Sequence, residues 1–134
     1  MIGIIGAMDS EVELLKKQLC DAKEIEKNGL IFYKGTIKGK DVVVVKSGIG
    51  KVNAALCAQL LIIVFGVKKI INTGIAGATG QNLGIFDFVV SEKVVYHDVN
   101  VVAFGYEKGQ LPGMNKFFVA DETMVEKTLS SFNK

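Results

Sequence analysis

Residues 42–78, VVVVKSGIGKVNAALCAQLLIIVFGVKKIINTGIAGA, contain two apolar runs that both end at glycines. Residues 42–45 are unbroken valine, and residues 69–73 form a second run led by Ile70 and Ile71. Continuous rather than alternating apolar character marks strands covered on both faces, which predicts central rather than edge positions in a sheet. Between them a segment opens at Ser47-Gly48-Ile49-Gly50 and closes at Gly66, with Val52, Ala55, Leu56, Gln59, Leu60 and Ile63 at helical spacing. Strand, helix and strand make a βαβ unit, so the fold class is α/β. Ligands of open α/β sheets bind beyond the carboxyl ends of the strands, here residues 47–50 and 74–77. Both stretches are rich in glycine, which lets backbone approach a ligand closely.

Upstream, residues 2–5 read as the first buried strand, and Gly6-Ala7-Met8 as its tight exit into a helix. Ser10 and Glu13 have capping-box spacing, and Val12, Leu15 and Leu19 follow on one face. Glu11 then falls in the first turn. Two roles fit it there. An acid in that turn is favoured by the helix macrodipole by about 0.3–1 kcal/mol, and the residues alone favour this plain reading. The same turn also lies at a strand end, where a carboxylate held ionised could act as a general base. Asn28-Gly29 and Lys38-Gly39 are turn signals, so a β-meander leads into Val42.

Downstream, residues 86–90 form another β-rich run and Val94-Val95-Tyr96 a further one, which predicts a mixed and fairly large sheet. Residues 100–114 have no clear period yet carry Phe104, Tyr106, Leu111 and Pro112. A loop this apolar covers a site or a partner, or is simply packed. Asp121 is placed to cap a last helix reaching about Phe132, with Met124, Val125 and Leu129 as a thin stripe.

The bulk numbers set bounds on function. A length of 134 residues predicts one domain, and 49% apolar residues predict a real core. The net charge of +2 comes from dispersed lysines without interleaved aromatics, which points away from nucleic acid and toward a small-molecule ligand. All sixteen basic residues are Lys, so the chain lacks the side chain best suited to grip a phosphate. Cys20 and Cys57 have no CxxC spacing and read as reduced thiols of a cytoplasmic protein; no metal site is suggested. The longest apolar run, residues 60–65, is too short to span a bilayer, and no membrane partner is expected.

Three motifs fail on inspection. Ser47-Gly48-Ile49-Gly50-Lys51 has Val45 and Val52 where a P-loop needs glycine and a hydroxyl residue. The glycines of residues 74–80 lack dinucleotide-binding spacing. His97 beside Asp98 has no marked Ser or Cys nucleophile, and a structural role is preferred for it.

Four ordered motifs, GIIGAMDSEVELL (3–15), KSGIGKVNAA (46–55), INTGIAGA (71–78) and YHDVNVVAFGYEKGQLPG (96–113), together resemble the 5′-methylthioadenosine/S-adenosylhomocysteine nucleosidases over nearly the whole chain. The resemblance implies a nucleoside phosphorylase-like, three-layer α/β/α fold with a mixed central sheet, a homodimer, and hydrolysis of the N-glycosidic bond to release adenine. It implies no cofactor and no metal. By position in GAMDSE, Glu11 resembles the family's carboxylate that polarises the attacking water, which lifts the catalytic reading above the dipole one. Ala7 and Met8 resemble the residues along the ribose, and Ile49 the apolar residue facing the 5′-thio group. Ile75, Ala76 and Gly77 match the segment bordering ribose and base. Val101, Phe104 and Pro112 resemble loop residues lent by a neighbouring subunit to the alkylthio pocket.

The sequence departs from the family pattern in three places. Ile75 replaces a serine found in some relatives. Phe86 stands where a turn glycine is usual, which predicts a rebuilt strand entry, since a bulky residue at positive φ is strained. The family's Met-Glu pair, an Arg, and the Asp that protonates adenine belong to a region after residue 134. Asp87, Asp98 and Asp121 lie outside the matching motif and do not inherit the acid's role. A final helix with little to pack on predicts marginal stability, and open sheet edges could drive association. Two alternatives stay open: a shortened, non-catalytic relative that binds nucleoside or dimerises, and a purine-nucleoside phosphorylase. The absence of Arg weighs against the second.

Overall fold

The computed structural model describes residues 1–132, which divide into two compact units, the first Met1–Gly77 and the second beginning at Ala78. The first unit holds β1 (Ile2–Gly6), α1 (Asp9–Lys17), β2 (Cys20–Lys27), β3 (Leu30–Ile37), β4 (Lys40–Lys46), α2 (Lys51–Phe65) and β5 (Lys69–Asn72). Its five strands form one mixed sheet in the order β2-β3-β4-β1-β5. β1 runs parallel to both β4 and β5, while β2, β3 and β4 form the antiparallel meander. Both connecting turns have the sequence for it. Asn28 and Gly29 sit at φ 51° and 77°, Lys38 and Gly39 at 48° and 71°, the left-handed pairs that let two-residue hairpins follow the sheet twist.

Successive residues of a strand face opposite sides, and the valine run of β4 divides accordingly. Val43 and Val45 join Ile5, Phe32, Cys57, Leu61 and Val67 in a cluster on the α2 side. Val42 and Val44 join Ile4 and Val12 on the α1 side. Both faces of β4 are therefore dry, which is the physical content of an unbroken apolar strand. Helix, sheet and helix stack as the three expected layers, and α2 ends as its sequence predicts, with Gly66 at φ 63° accepting the left-handed cap.

β5 departs from the expectation of two central strands. Among the described residues it pairs with β1 alone, so it stands at the edge of this sheet, and Ile71 is 38% exposed. A short apolar strand looks the same in sequence whether its second neighbour is present or not. The helical stripe of α2 also lies largely outward: Cys57 and Leu61 are buried, whereas Val52, Leu56 and Ile63 are exposed. The cap of α1 differs too. The helix begins at Asp9 with Met8 as N-cap, so Glu11, not Glu13, occupies the third helical position, and Ser10 is not the cap.

The second unit contains β6 (Lys93–Val94), a 3-10 turn (Val102–Phe104), β7 (Phe118–Val119) and α3 (Glu122–Phe132). β6 and β7 pair antiparallel in a separate two-stranded ladder. Tyr96 packs edge-on against Phe118, with ring centres 5.7 Å apart, and Phe88 lies 4.5 Å from Phe132. Asp121 caps α3 as its sequence predicts, its Oδ1 accepting the Met124 N–H at 3.0 Å. Met124 and Val125 are half-buried and Leu129 is 49% exposed.

Residues 86–90 do not form the expected strand. Their β propensity finds no partner strand among the described residues, and the segment opens instead with a turn closed by the Gly84 N–H on Asp87 Oδ2 at 2.7 Å. Phe86 holds the glycine conformation of that turn, at φ 72°, with its side chain 99% exposed. Phe86 thus carries the strain of the turn itself, and no strand follows it over residues 86–90. A non-glycine residue held there costs about 1–3 kcal/mol, partly offset because glycine is more flexible when unfolded. Phe86→Gly is therefore expected to raise the unfolding free energy by about 1 kcal/mol in a urea titration. A loss of stability would show that Phe86 makes contacts worth more than its strain.

Candidate active site

β1 leaves the sheet at Gly6 between β4 and β5, so the exits of three parallel strands lie side by side. Backbone bonds stitch them: the Ser47 N–H donates to Gly6 O at 2.9 Å and the Thr73 N–H to Ile5 O at 2.9 Å. Ser47 is buried, and its hydroxyl donates to Gly48 O at 2.9 Å. On the α2 side, the Asn53 amide donates to Ile49 O at 2.8 Å and fixes the glycine-flanked loop against the helix it opens.

Glu11 is at the centre of this seam. Its Oε2 accepts the N–H groups of Ala7 at 2.6 Å and Met8 at 3.0 Å, and its Oε1 accepts the N–H of Ile75 at 3.1 Å. One half-buried carboxylate therefore joins the exit of β1 to the exit of β5, 64 residues away in sequence. The Ile75 bond, then the Met8 bond and, more weakly, the Ala7 bond, hold its pKa below the ordinary 4.5 against opposing desolvation. A carboxylate has about four lone-pair positions, of which three are taken. The remaining one is available to a water or a hydroxyl. Glycines make room for this: a Cβ at Gly6 would lie 2.6 Å from Val12 Cγ1 and 3.0 Å from Glu11 Cβ.

Two neighbouring acids are also held ionised. The Lys46 ammonium, 2.7 Å from Asp9 Oδ2, lowers the Asp9 pKa from 3.8, and Lys17, 2.6 Å from Glu13 Oε1, lowers that of Glu13 from 4.5. Depressed carboxylate pKa values give stability that is present above the unfolded-state values and is lost as pH falls through the folded-state ones. Stability is therefore expected to hold from neutral pH to about 5 and to decline on further acidification. Urea midpoints across that range check it, and a flat or rising profile would contradict the carboxylate bonding. Salt should weaken the exposed Asp9–Lys46 and Glu13–Lys17 contributions first.

The structure brings together Ala7, Met8, Glu11 and Ile75, and it places Ile49, Ala76 and Gly77 at the same carboxyl ends of β4 and β5. Ile49 and Ile75 are 74% and 83% exposed, so both apolar side chains are open to a ligand. Val101, Phe104 and Pro112 belong to the second unit, where Val101 precedes the 3-10 turn and Phe104 is 78% exposed. The other acids considered there have local work: Asp121 caps α3 and Asp87 closes the turn at Gly84. His97 Nδ1 lies 3.9 Å from Asp98 Oδ1 with its side chain 85% exposed. A cavity of about 260 Å³ lies between the β2–β3 turn and α2, lined by Leu30, Leu56 and Leu60 together with Ser47 at the β4 exit and Asn53 of α2. Its lining does not include Glu11 or the residues that hydrogen-bond to it, Ala7, Met8 and Ile75. The converging hydrogen bonds, not that cavity, mark the candidate site.

Gly74 and the Ile75 N–H escaped the reading of the sequence. Only the side-chain character of Ile75 and the glycine content of residues 74–77 were visible there. Among the described residues no group of three His, Cys, Asp or Glu side chains could hold a metal, and no helix is long and apolar enough to cross a membrane.

Comparison with known proteins places these features in context. The phosphorylase superfamily profile matches residues 1–133. The 5′-methylthioadenosine/S-adenosylhomocysteine nucleosidase of Staphylococcus epidermidis is 51% identical over 129 residues, which is 96% of this chain and 57% of that protein. A crystal structure of the nucleosidase of Colwellia psychrerythraea, in complex with adenine, superposes with a TM-score of 0.96 at 47% identity, covering 98% of this chain and 55% of that one. The Streptococcus pneumoniae nucleosidase in complex with 8-aminoadenine gives a TM-score of 0.94 at 42% identity, covering 97% and 58%. The chain thus spans a little over half the length of the relatives it matches.

Proposed function

This chain belongs to the phosphorylase superfamily, and from that premise we propose that it hydrolyses the N-glycosidic bond of 5′-methylthioadenosine and S-adenosylhomocysteine, releasing adenine. The observation that carries the reading is the Glu11 carboxylate, held ionised by three backbone N–H groups with one acceptor position left over. Relatives named for that reaction, and a relative's structure with adenine bound, support the substrate class.

The bond to adenine breaks as positive charge grows on the ribose ring, in the manner of glycoside cleavage. A carboxylate with a lowered pKa is a weak base, but an oxocarbenium-like carbon needs only an oriented, polarised water. Glu11 would hold that water by its free lone pair; the oxygen bonds to the anomeric carbon as the C–N bond breaks, and Glu11 takes the released proton. The bonding pair leaves with adenine, whose protonation the resemblance assigns to an Asp outside residues 1–134. The negative charge of Glu11 also stabilises the developing cation electrostatically.

In the same proposal Ala7 and Met8 lie along the ribose, Ile49 against the 5′-thio group, and Ile75, Ala76 and Gly77 at ribose and base. The active form is a homodimer in which Val101, Phe104 and Pro112 of one protomer complete the alkylthio pocket of the other; the exposure of Phe104 and Ile49 supports this. A cytoplasmic location belongs to the same reading, since both cysteines are free.

Product analysis tests the reaction class. Hydrolysis predicts the free reducing thio-sugar as co-product, with or without phosphate in the buffer. A sugar 1-phosphate formed only with phosphate present would overturn it in favour of phosphorolysis.

A further inference from the structure

We infer that Gly74 is a positioning residue for Glu11: its bare α-carbon leaves open the space at the β5 exit that the carboxylate must occupy to reach the Ile75 N–H. A Cβ built at Gly74 would fall on that carboxylate. Its nearest neighbours would be Glu11 Oε1, in outright overlap, Cδ at 2.6 Å and Oε2 at 3.1 Å. Real Cβ contacts do not approach below 3.0 Å, so the glutamate would have to move. Space is the tighter of two constraints, because φ at Gly74 is 159°, at the boundary of the region that residues with side chains rarely adopt, so an added Cβ meets both the carboxylate and some backbone strain.

The other glycines at this end of the sheet behave differently. Gly50 and Gly77 would meet nothing within 4 Å, and Gly48 would meet only Asn53. Gly6 is crowded by Val12 Cγ1 and Glu11 Cβ, with Glu11 Oε2 only in ordinary contact at 3.5 Å, so it sets how α1 packs on β1. Gly74 meets the far end of the Glu11 side chain. That end is flexible, so an added methyl group would be accommodated by swinging the carboxylate away. The fold would keep most of its stability, and Glu11 would lose its anchor on β5.

A glycine kept only for folding would change stability when replaced. A positioning glycine changes the group it positions. The test is a residue-resolved carboxyl NMR titration of the parent chain and of Gly74→Ala. In the parent, Glu11 is expected to titrate below the ordinary 4.5, because the Ile75, Met8 and Ala7 N–H groups bond its charged form. In Gly74→Ala the Glu11 titration is expected to move up toward that ordinary value. The Ile75 amide resonance should stop following it. Glu13, lowered through Lys17 on the outer face of α1, should be unchanged and serves as the internal control. A folded Gly74→Ala chain in which Glu11 titrates as in the parent would overturn the inference.

Should Gly74→Ala fail to fold, the Glu11→Ala/Gly74→Ala chain decides the matter. Removing the carboxylate removes the overlap, so recovered folding supports the inference and failure to recover overturns it. The kinetic consequence rests on the hydrolase reading: kcat falls in Gly74→Ala while KM changes little, since the displaced group acts on water rather than on substrate binding. The two claims can fail separately. A shifted Glu11 titration with unaltered turnover would sink the water-polarising role and leave the positioning intact. An unshifted titration beside a Glu11→Gln chain that has lost turnover would do the reverse.

Discussion

Glu11→Gln is expected to lower adenine release from 5′-methylthioadenosine by about 10²- to 10⁴-fold, the usual worth of a positioned proton acceptor. The chemistry of the seam explains why so small a change acts so strongly. Three N–H donors converge on the two carboxylate oxygens. Glutamine offers one acceptor oxygen and one NH2 group, so a donor must face a donor at Oε1 or Oε2. The amide would rotate to keep its better partners and could neither take a proton from water nor neutralise the ribose cation. Glu11 is only half-buried, so water can satisfy the displaced backbone groups and the fold should persist. Circular dichroism and nucleoside binding on the same sample separate lost chemistry from lost structure. Turnover within a few-fold of the parent would return Glu11 to the helix-dipole role.

Phe32→Ala is expected to cost about 3–5 kcal/mol, a large part of the 5–15 kcal/mol that holds a domain of ordinary stability together. Phe32 is fully buried, packed among Ile5, Val43, Val45, Cys57 and Leu61 beneath α2. Its ring centre lies 4.7 Å from that of Phe65. The strands on which it sits cannot close over the space, because Val43 and Val45 are themselves locked between two ladders. Leu14→Ala on the outer face of α1, 70% exposed, is the matched control and should change stability by about 0.5 kcal/mol or less. Urea titration of the two variants checks the pair, and equal effects would mean that the core is not where the buried residues place it.

Much of the fold was legible because its causes are local. Four consecutive valines declare a strand dry on both faces, and Asn28-Gly29 and Lys38-Gly39 declare hairpins through the φ values those turns need. Asp121 declared the last helix by its cap. What was not legible depends on partners far along the chain. Among the described residues, 86–90 have the composition of a strand and no strand beside them, while 69–73 carry the pattern of a central strand and have one neighbour. The cap of α1 was misplaced by two residues because the rule looks for a hydroxyl at the N-cap. Here Glu11 reaches back to the Met8 N–H although Met8 has no such group.

The candidate site divides in the same way. Glu11 was visible as an acid in a first helical turn, and only its motif raised it above the dipole reading. Its third hydrogen bond comes from Ile75 across 64 residues, which no local pattern encodes. The part of Gly74 was hidden for the same reason. A glycine in a strand exit reads as room for a ligand, whereas this one is room for a side chain of the protein itself.

The most direct test of the account is adenine release from 5′-methylthioadenosine by the 134-residue chain in phosphate-free buffer, with nucleoside binding measured on the same preparation. The account predicts release that is slow for want of the adenine-protonating Asp among residues 1–134, unchanged by added phosphate, and lowered by about a further 10²- to 10⁴-fold by Glu11→Gln. A folded chain that binds the nucleoside and releases no adenine, or releases it in proportion to phosphate, would contradict it.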